Sequence, residues 1–263
     1  ITNFKGKNLM ILFDRECDIN FNGIENNERF TVLQLISDKR SVQNYFIEIC
    51  KILINNIGEN PKLATVQKEL ENVKDIFLNL NRNKIKNELG LWGELFLIYV
   101  QENKEMAVKS WHINAKDRLD FNNGSVKVEV KTTLSSDRKH VFKLNQLRYQ
   151  YSENVLICSI MTTEIEYGLS INDLVNKINE NLSNDTKLKL LEKISSVLGN
   201  ELFTINFRLF DKRTALESML FYNSDEIPAI EKECISEMIS KIEFTSDLTN
   251  SKPIDLDNKK VIS

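Results

Sequence analysis

The residues best suited to chemistry lie in one short stretch, residues 117–133, which reads DRLDFNNGSVKVEVKTT. It carries Asp120, then Glu129 after eight intervening residues, and then Lys131. Carboxylate oxygens are hard ligands of the kind that Mg²⁺ prefers. A metal held by Asp120 and Glu129 would polarise a phosphodiester and lower the pKa of an attacking water. Lys131 could orient that water or offset the developing negative charge. The stretch therefore predicts metal-assisted hydrolysis.

The three side chains meet only if the stretch forms a β-hairpin with a turn of even length or a compensating bulge. In the second strand, predicted at 125–132, valines alternate with charged residues, so Glu129 and Lys131 share one face. The turn at 122–125 allows two registers: a Gly-Ser centre sets Asp120 across from Glu129, and an Asn-Gly centre sets it across from Lys127. Both keep Asp120 on the charged face, whereas a three-residue loop would move it to the valine face. The alternation alone is equally typical of a strand with one solvated face.

A predicted helix at 88–101 carries one more carboxylate, Glu94, in a very apolar setting. Such a carboxylate must find a partner or stay protonated. It either faces solvent or a hydrogen-bond donor at the helix edge, or it points at the metal site. Gly90 and Gly93 share one face of this helix and allow it to approach a sheet closely, which would bring Glu94 near the hairpin.

Basic and polar residues follow the hairpin closely. Arg138, Lys139, Lys143 and Arg148 form a candidate group for binding DNA phosphates, although charge runs are also typical of solvated loops. Gln146 could contact the attacking water, a base or the backbone. His140 has no evident partner and is interpreted as structural or close to DNA.

The spacing Asp-x8-Glu-x-Lys resembles the signature of the PD-(D/E)XK nuclease superfamily. The Gly-Leu-Trp-Gly-Glu-Leu run at 90–95 is similar to the Gly-Glu helix that precedes the hairpin in many of these nucleases. The wider pattern resembles a little-characterised bacterial PD-(D/E)XK family found near restriction and phage-defence genes; its residues are Trp111, Asp120-Phe121, the 129–132 run, Phe221-Tyr222 and Ile227-Pro228. Leu119 stands where the signature has Pro, and Tyr149 follows Gln146 too closely for a Gln-x3-Tyr motif.

The resemblance implies a restriction-endonuclease-like core and a DNA endonuclease that uses Mg²⁺, or Mn²⁺, and leaves 3′-hydroxyl and 5′-phosphate ends. Asp120, Glu129 and the backbone carbonyl of Val130 would hold the metal. Lys131, Glu94 and Gln146 would complete the catalytic set. A role in bacterial restriction or phage defence follows from the same resemblance.

Composition is that of an ordinary globular protein, with 263 residues, 41% apolar residues and a formal net charge of −3. A dedicated nonspecific DNA binder is usually basic, so DNA contact here requires a local basic patch or a partner. The four cysteines are scattered without a Cys-x-x-Cys pair, which argues against a zinc site and favours a reducing, cytoplasmic setting. No apolar run is long enough to span a bilayer.

Periodicity predicts a mixed α/β fold with a central mixed sheet flanked by helices. We expect three segments: a β-strand and helical scaffold (1–82), the nuclease core (83–165) and a helical and strand extension (166–263). Strands are predicted at 8–13, 29–36, 107–113, 141–143, 154–162, 202–209 and 218–223, with a polar, turn-rich segment at 14–28. Further helices are predicted to begin at Ser41, Asn60, Leu144, Ser170 and Asp185, and the chain after Thr245 is expected to be loosely ordered.

A second class of function competes with the nuclease. The chain could be a binding or assembly subunit of a defence complex, with a nuclease-like fold that is catalytically quiet alone. The acidic net charge and the long flanking regions favour it. The partners expected across these hypotheses are DNA, a second copy of the chain, and other subunits of a defence system.

Overall fold

The computed structural model describes residues 2–80, 88–111, 117–147, 154–203, 207–230, 235–236, 238–239, 241–256 and 260–262. The helices within these ranges are α1 (Arg40–Ile57), α2 (Leu63–Leu80), α3 (Glu88–Val100), α4 (Lys104–Ser110), α5 (Ile171–Asn179), α6 (Asn184–Leu198) and α7 (Lys212–Ser218). The strands are β1 (Phe4–Lys5), β2 (Leu9–Phe21), β3 (Ile24–Leu35), β4 (Phe121–Asn122), β5 (Lys127–Thr133), β6 (Lys139–Lys143), β7 (Val155–Met161), β8 (Glu164–Leu169), β9 (Leu220–Asn223) and β10 (Glu243–Asp247).

The chain divides into two compact units. Unit 1 contains Ile1–Ile85 and Ser183–Ile205, and unit 2 contains Lys86–Leu182 and Asn206–Ser263. The division is not contiguous, because α6 returns to unit 1. The expected extension at 166–263 is thus shared between the two units.

Unit 1 is an antiparallel sheet, β1-β2-β3, with an apolar core to which α1, α2 and α6 contribute. Each of the first two helices buries one apolar face, with Ile49, Val73 and Phe77 almost fully buried. α1 begins at Arg40 after Lys39, so Ser41 is not its N-cap.

The strands predicted at 8–13 and 29–36 are confirmed, but the prediction of a turn-rich segment between them is wrong. β2 and β3 continue through it as one long hairpin that turns at Asn22-Gly23, both with positive φ. A bulge between Leu12 and Arg15 contains Asp14, whose φ is 53°. Polar cross-strand pairs such as Asp14 with Arg29 support strands in place of the expected loop.

Unit 2 is built on a mixed sheet in the order β4-β5-β7-β9. β7 pairs in parallel with β5 and antiparallel with β9, and its first six residues are buried, as expected for the central strand. α3 packs on β5 and α7 on β7. A second sheet pairs β6 with β10. These elements confirm the predicted mixed α/β class with a central mixed sheet flanked by helices.

Several local predictions in unit 2 are wrong. The strand predicted at 107–113 is helix α4, which Asn103 caps by accepting the Met106 N–H, while residues 112–116 lie outside the described ranges. The predicted helix after Lys143 is described only as a 3₁₀ turn, Leu144–Gln146. In unit 1 the predicted strand at 202–209 begins instead within a 3₁₀ turn, Asn200–Phe203.

The C-terminal chain is packed where it is described, contrary to the loosely ordered tail that we predict. Leu248 and Ile262 are buried, and Ile254 forms a bridge with Phe221. The helix predicted to begin at Ser170 is confirmed as α5, with Ser170 as its N-cap because its side chain accepts the Asp173 N–H, and Gly199 ends α6. In the described parts of the chain, no helix has both the length and the apolar character needed to cross a membrane.

Candidate active site

The hairpin adopts the register with Gly124-Ser125 at its centre. Phe121 pairs with Val128 and Asn122 with Lys127, so the next position places Asp120 across from Glu129. Gly124 has a φ of 91°, a conformation that glycine adopts readily, and the Asn123 N–H donates to the Val126 carbonyl at 3.2 Å. The turn therefore has the even length that the candidate site requires.

Asp120 lies directly before β4, at the edge of β5. One of its carboxylate oxygens, Oδ2, accepts the Val130 N–H at 2.8 Å, so the side chain occupies a hydrogen-bonding position that a longer β4 would fill with a carbonyl. Burial raises the pKa of Asp120 well above its usual range, and the charges of Glu94 and Glu129 raise it further. The Val130 N–H and Lys131 lower it by less.

Glu129 is held by two side chains. It is 3% exposed, and its Oε1 lies 2.9 Å from Lys131 Nζ and accepts a hydrogen bond from the Gln146 amide nitrogen. Gln146 Oε1 in turn accepts from Lys131 Nζ at 3.1 Å and from the Lys143 N–H at 2.9 Å. Gln146 thus bridges the Glu129 carboxylate and the Lys131 ammonium of the Glu-x-Lys motif.

Lys131 is anchored but still reaches solvent. Its Nζ lies 5.0 Å from the centre of the Phe142 ring, and its side chain is 16% exposed. The charged face of β5 is therefore mostly enclosed at this point. It is not the freely solvated face of an ordinary hairpin.

Glu94 is buried, with 6% exposure, and Oε2 accepts the indole N–H of Trp111 at 2.8 Å. Of the alternatives predicted for Glu94, exposure to solvent is wrong. Gly93 permits the close approach of α3, because a Cβ there would lie 1.8 Å from Thr132 Oγ1 on β5. After burial, the charge of Glu94 is the next cause that raises the pKa of Asp120, so the two carboxylates lie within electrostatic range of each other. We call Glu94, Asp120, Glu129, Lys131 and Gln146 the carboxylate cluster.

A second polar cluster lies beside it, formed by Arg138, His140, Ser159 and Ser218. Arg138 is 9% exposed, and its guanidinium donates to Ser159 Oγ at 2.9 Å, to the Ser159 carbonyl at 3.2 Å and to the Ser218 carbonyl. His140 Nε2 lies 2.8 Å from Ser159 Oγ. We call this group the Arg138 cluster. Its guanidinium faces the interior, so Arg138 does not belong to an exposed DNA-contact group.

His140 is buried, with 4% exposure. Burial lowers its pKa to about 4, helped by the positive charges of Lys131 and Arg138. Of the remaining basic candidates, Lys139 pairs with Asp137 at 3.0 Å and Lys143 is exposed. Arg148 lies outside the described residues.

Two contacts of these clusters escaped the sequence reasoning. Trp111 was named only among the residues that carry the family resemblance. An indole N–H only donates, however, so it is a natural partner for a buried carboxylate. Ser159 interrupts the apolar run of β7, and a polar residue in a fully buried strand must be hydrogen-bonded, which could have identified it.

Across the described residues, no group of three or more His, Cys, Asp or Glu side chains could hold a metal. The donors that could contribute to a cation site are the carboxylates of Asp120 and Glu129 and the Val130 carbonyl. Mg²⁺ typically takes one or two protein carboxylates and completes its shell with water and substrate oxygens, so it does not require a larger cage. Burial raises the pKa of Asp120 and the charges of Glu94 and Glu129 raise it further; repulsion of this kind is what a cation relieves.

Comparison with known proteins matches most of the chain to a protein family. No curated protein matches the chain, and no solved structure does. Residues 6–249 match the family described as "Putative PD-(D/E)XK family member, (DUF4420)". The match spans both units and contains every residue of the two clusters. With the mixed sheet and the Asp-x8-Glu-x-Lys hairpin described above, the chain belongs to this PD-(D/E)XK family.

Proposed function

We propose that the protein is a metal-dependent endonuclease that hydrolyses DNA phosphodiester bonds at the carboxylate cluster. The observation that carries this proposal is the hairpin register, which sets Asp120 across from Glu129, with Lys131 2.9 Å from Glu129. If the alternation of valines and charged residues only reflected a strand with one solvated face, these side chains would not be enclosed.

Asp120, Glu129 and the Val130 carbonyl are the groups that would hold the cation, with Mg²⁺ as the expected ion and Mn²⁺ as a substitute. When bound, the ion would polarise the phosphodiester and lower the pKa of the attacking water. The raised pKa of Asp120 supports this role, because its carboxylate is crowded by two other acids in a buried setting.

Lys131 supplies positive charge at the reacting phosphate and orients the attacking water. Gln146 and Phe142 hold the ammonium in place, and the 16% exposure of the side chain leaves it accessible to a substrate. A preorganised donor of this kind stabilises charge that develops in the transition state. Gln146 fixes both Glu129 and Lys131, and Glu94 acts on Asp120 from α3.

DNA is the substrate we propose, with Lys139 and Lys143 as phosphate contacts near the site and Arg148 as a further candidate. Phosphate contacts position a duplex without reading its sequence. The net charge of −3 favours help from a partner, either a second copy of the chain or another subunit. The family resemblance supports a role in restriction or phage defence.

The test is cleavage of supercoiled plasmid DNA in Mg²⁺ by the wild type, Asp120→Asn and Lys131→Ala. We expect each variant to lose on the order of 10²- to 10³-fold in rate. Matched controls are Asp137→Asn, an exposed acid, and Lys127→Ala, on the same strand face as Lys131 but outside the cluster; both should cleave normally. Chelation of the metal should stop the wild type, and Mn²⁺ should restore it.

Unchanged cleavage by both site variants would remove these residues from the mechanism. A wild type that does not cleave DNA in either metal, but forms a stable complex with another protein, would favour the assembly-subunit alternative.

A further inference from the structure

Trp111 connects the two elements that carry Glu94 and Asp120. Its side chain donates from Nε1 to Glu94 Oε2 at 2.8 Å, and its backbone forms an antiparallel bridge with Phe121, the residue after Asp120. Trp111 is 1% exposed and Glu94 is 6% exposed. One buried residue therefore contacts α3 through its side chain and the start of β4 through its backbone.

The chemistry of this contact fixes its direction. An indole N–H is a donor only, so the bond requires Glu94 Oε2 to act as an acceptor. A buried carboxylate is costly unless it is hydrogen-bonded, and a bond to an ionised acceptor is stronger than a neutral one. Trp111 thus satisfies the buried Glu94 carboxylate and restricts its position.

We infer that Trp111 is a positioning residue, which fixes Glu94 relative to Asp120 so that a divalent cation can bind beside them. This inference rests on the cation site of the proposed function, but it concerns binding and not cleavage. Outer partners that orient the acids of a cation site typically change metal affinity 10- to 100-fold when they are removed.

Trp92 provides a matched control within the same chain. It is fully buried on α3, and its Nε1 donates at 2.8 Å to the Leu169 carbonyl, not to a carboxylate. Trp92 and Trp111 are the two tryptophans of the sequence. A change from Trp to Phe therefore removes an equivalent N–H donor in each case, with a ring left in place.

The experiment measures Mn²⁺ binding to the full chain by calorimetry, without DNA, for the wild type, Trp111→Phe and Trp92→Phe. We expect Trp111→Phe to bind Mn²⁺ about 10-fold more weakly than the wild type. Trp92→Phe should keep the wild-type affinity, although its thermal unfolding midpoint should fall. Unfolding curves for all three proteins separate loss of affinity from loss of fold.

A double-mutant cycle asks whether Trp111 acts through Glu94. If it does, the combined Trp111→Phe and Glu94→Gln variant should bind Mn²⁺ no more weakly than Glu94→Gln alone. A general packing defect would instead add to the effect of Glu94→Gln.

Fluorescence gives a readout that needs no substitution at Trp111 or Glu94. In Trp92→Phe the remaining indole is Trp111, and paramagnetic Mn²⁺ bound close by should quench its emission with the same dissociation constant as in calorimetry. Mn²⁺ binding without quenching would overturn the inference, even if Trp111→Phe did not fold.

The outcomes separate this inference from the nuclease proposal. Equal Mn²⁺ affinity in Trp111→Phe and Trp92→Phe overturns the positioning role and leaves cleavage by the wild type untouched. Weaker binding in Trp111→Phe, with no cleavage of DNA by the wild type, supports the positioning role and defeats the nuclease. A wild type that does not bind Mn²⁺ overturns the inference.

Discussion

The two buried polar clusters of unit 2 share neighbouring strands but differ in how their charge is balanced. They adjoin at Lys131 and Ser159, which are register partners on β5 and β7. In the Arg138 cluster, a cation donates to a hydroxyl and two carbonyls, beside a neutral histidine. In the carboxylate cluster, burial raises the pKa of Asp120, and the neighbouring acids Glu94 and Glu129 raise it further.

Under the proposed function, the Arg138 cluster is a structural use of buried polarity and the carboxylate cluster is a functional one. Buried polar groups whose hydrogen bonds are satisfied rigidify a core, and removing one partner leaves the others desolvated. Acids held close to one another are unfavourable for the fold alone and persist where a ligand needs them. Changes in the Arg138 cluster should therefore cost stability, whereas neutralising Asp120 should cost function and increase stability.

The largest expected effect is that of Arg138→Met. Loss of the guanidinium leaves Ser159 and the Ser218 carbonyl buried without their donor, so the free energy of unfolding should fall by on the order of 3 kcal/mol. Urea denaturation measures this. The matched control is Arg213→Met, whose side chain is 86% exposed beside Glu217 and should change stability by less than about 0.5 kcal/mol. Similar losses in the two variants would contradict a structural role for the Arg138 cluster.

Gly93→Ala should break the approach that brings Glu94 to the carboxylate cluster. The new methyl group would lie 1.8 Å from Thr132 Oγ1, so helix and strand must separate at a cost of about 2 kcal/mol. Urea denaturation gives the loss, and Mn²⁺ affinity should fall with it. Thr132→Ala should restore part of both, because it removes the nearest atom; no recovery would mean that the contact does not limit the approach.

The elements around the site were predictable from the sequence because their signals are local. The alternation of β5, the apolar run of β7 and the glycines of α3 each follow from a few adjacent residues. The choice between the two hairpin registers was not predictable, since both turns suit the Asn-Asn-Gly-Ser sequence. It is set by local hydrogen bonds, in which Asn122 Oδ1 accepts the Gly124 N–H and Asn123 Oδ1 accepts the Val126 N–H.

The burial of Arg138 depends on partners that are distant in sequence. The guanidinium looks like part of a basic loop because Lys139 follows it, yet its acceptors lie 21 and 80 residues further along the chain. Likewise β6 pairs with β10, about 100 residues away, in a stretch whose local pattern is weak. Helix α4 was mistaken for a strand because a short apolar run suits either structure, and the Asn103 cap decides it.

His140→Gln sharpens the comparison through pH. The folded protein holds the pKa of His140 at about 4 against an ordinary value of 6.5, mainly through burial. Because the unfolded chain takes up the proton first, this site stabilises the fold above pH 6.5 and loses that contribution as pH falls toward 4. The wild type should therefore lose about 1.4 kcal/mol more than His140→Gln between pH 7.5 and pH 5.5.

Urea denaturation at the two pH values measures that difference, and the other titrating groups cancel because both proteins share them. Equal losses in the wild type and the variant would mean that folding does not lower the pKa of His140, which would then be protonated in the folded protein at pH 5.5. Such a result would place a second charge in the Arg138 cluster and remove the contrast in charge balance.

The smallest expected effect, that of Asp120→Asn, is a gain in stability, whereas the larger effects above are losses. Asp120→Asn keeps an oxygen for the Val130 N–H but removes the charge that Glu94 and Glu129 repel, so in a chelator it should stabilise the protein by about 1 kcal/mol. Since folding raises the pKa of Asp120, the wild type loses stability as pH rises through that pKa, and the gain from Asn should be larger at pH 8 than at pH 5. Thermal unfolding measures both, with the exposed Asp137→Asn as a control that should show neither.

Mg²⁺ should reverse the order of the two proteins. An ion that binds the folded state raises its unfolding midpoint, so the wild type should gain stability with added Mg²⁺ while Asp120→Asn should not. If Asp120→Asn is instead less stable than the wild type in chelator, the carboxylate is satisfied within the fold, like the guanidinium of Arg138. The two clusters would then both be structural, and the repulsion around Asp120 would no longer favour a cation there.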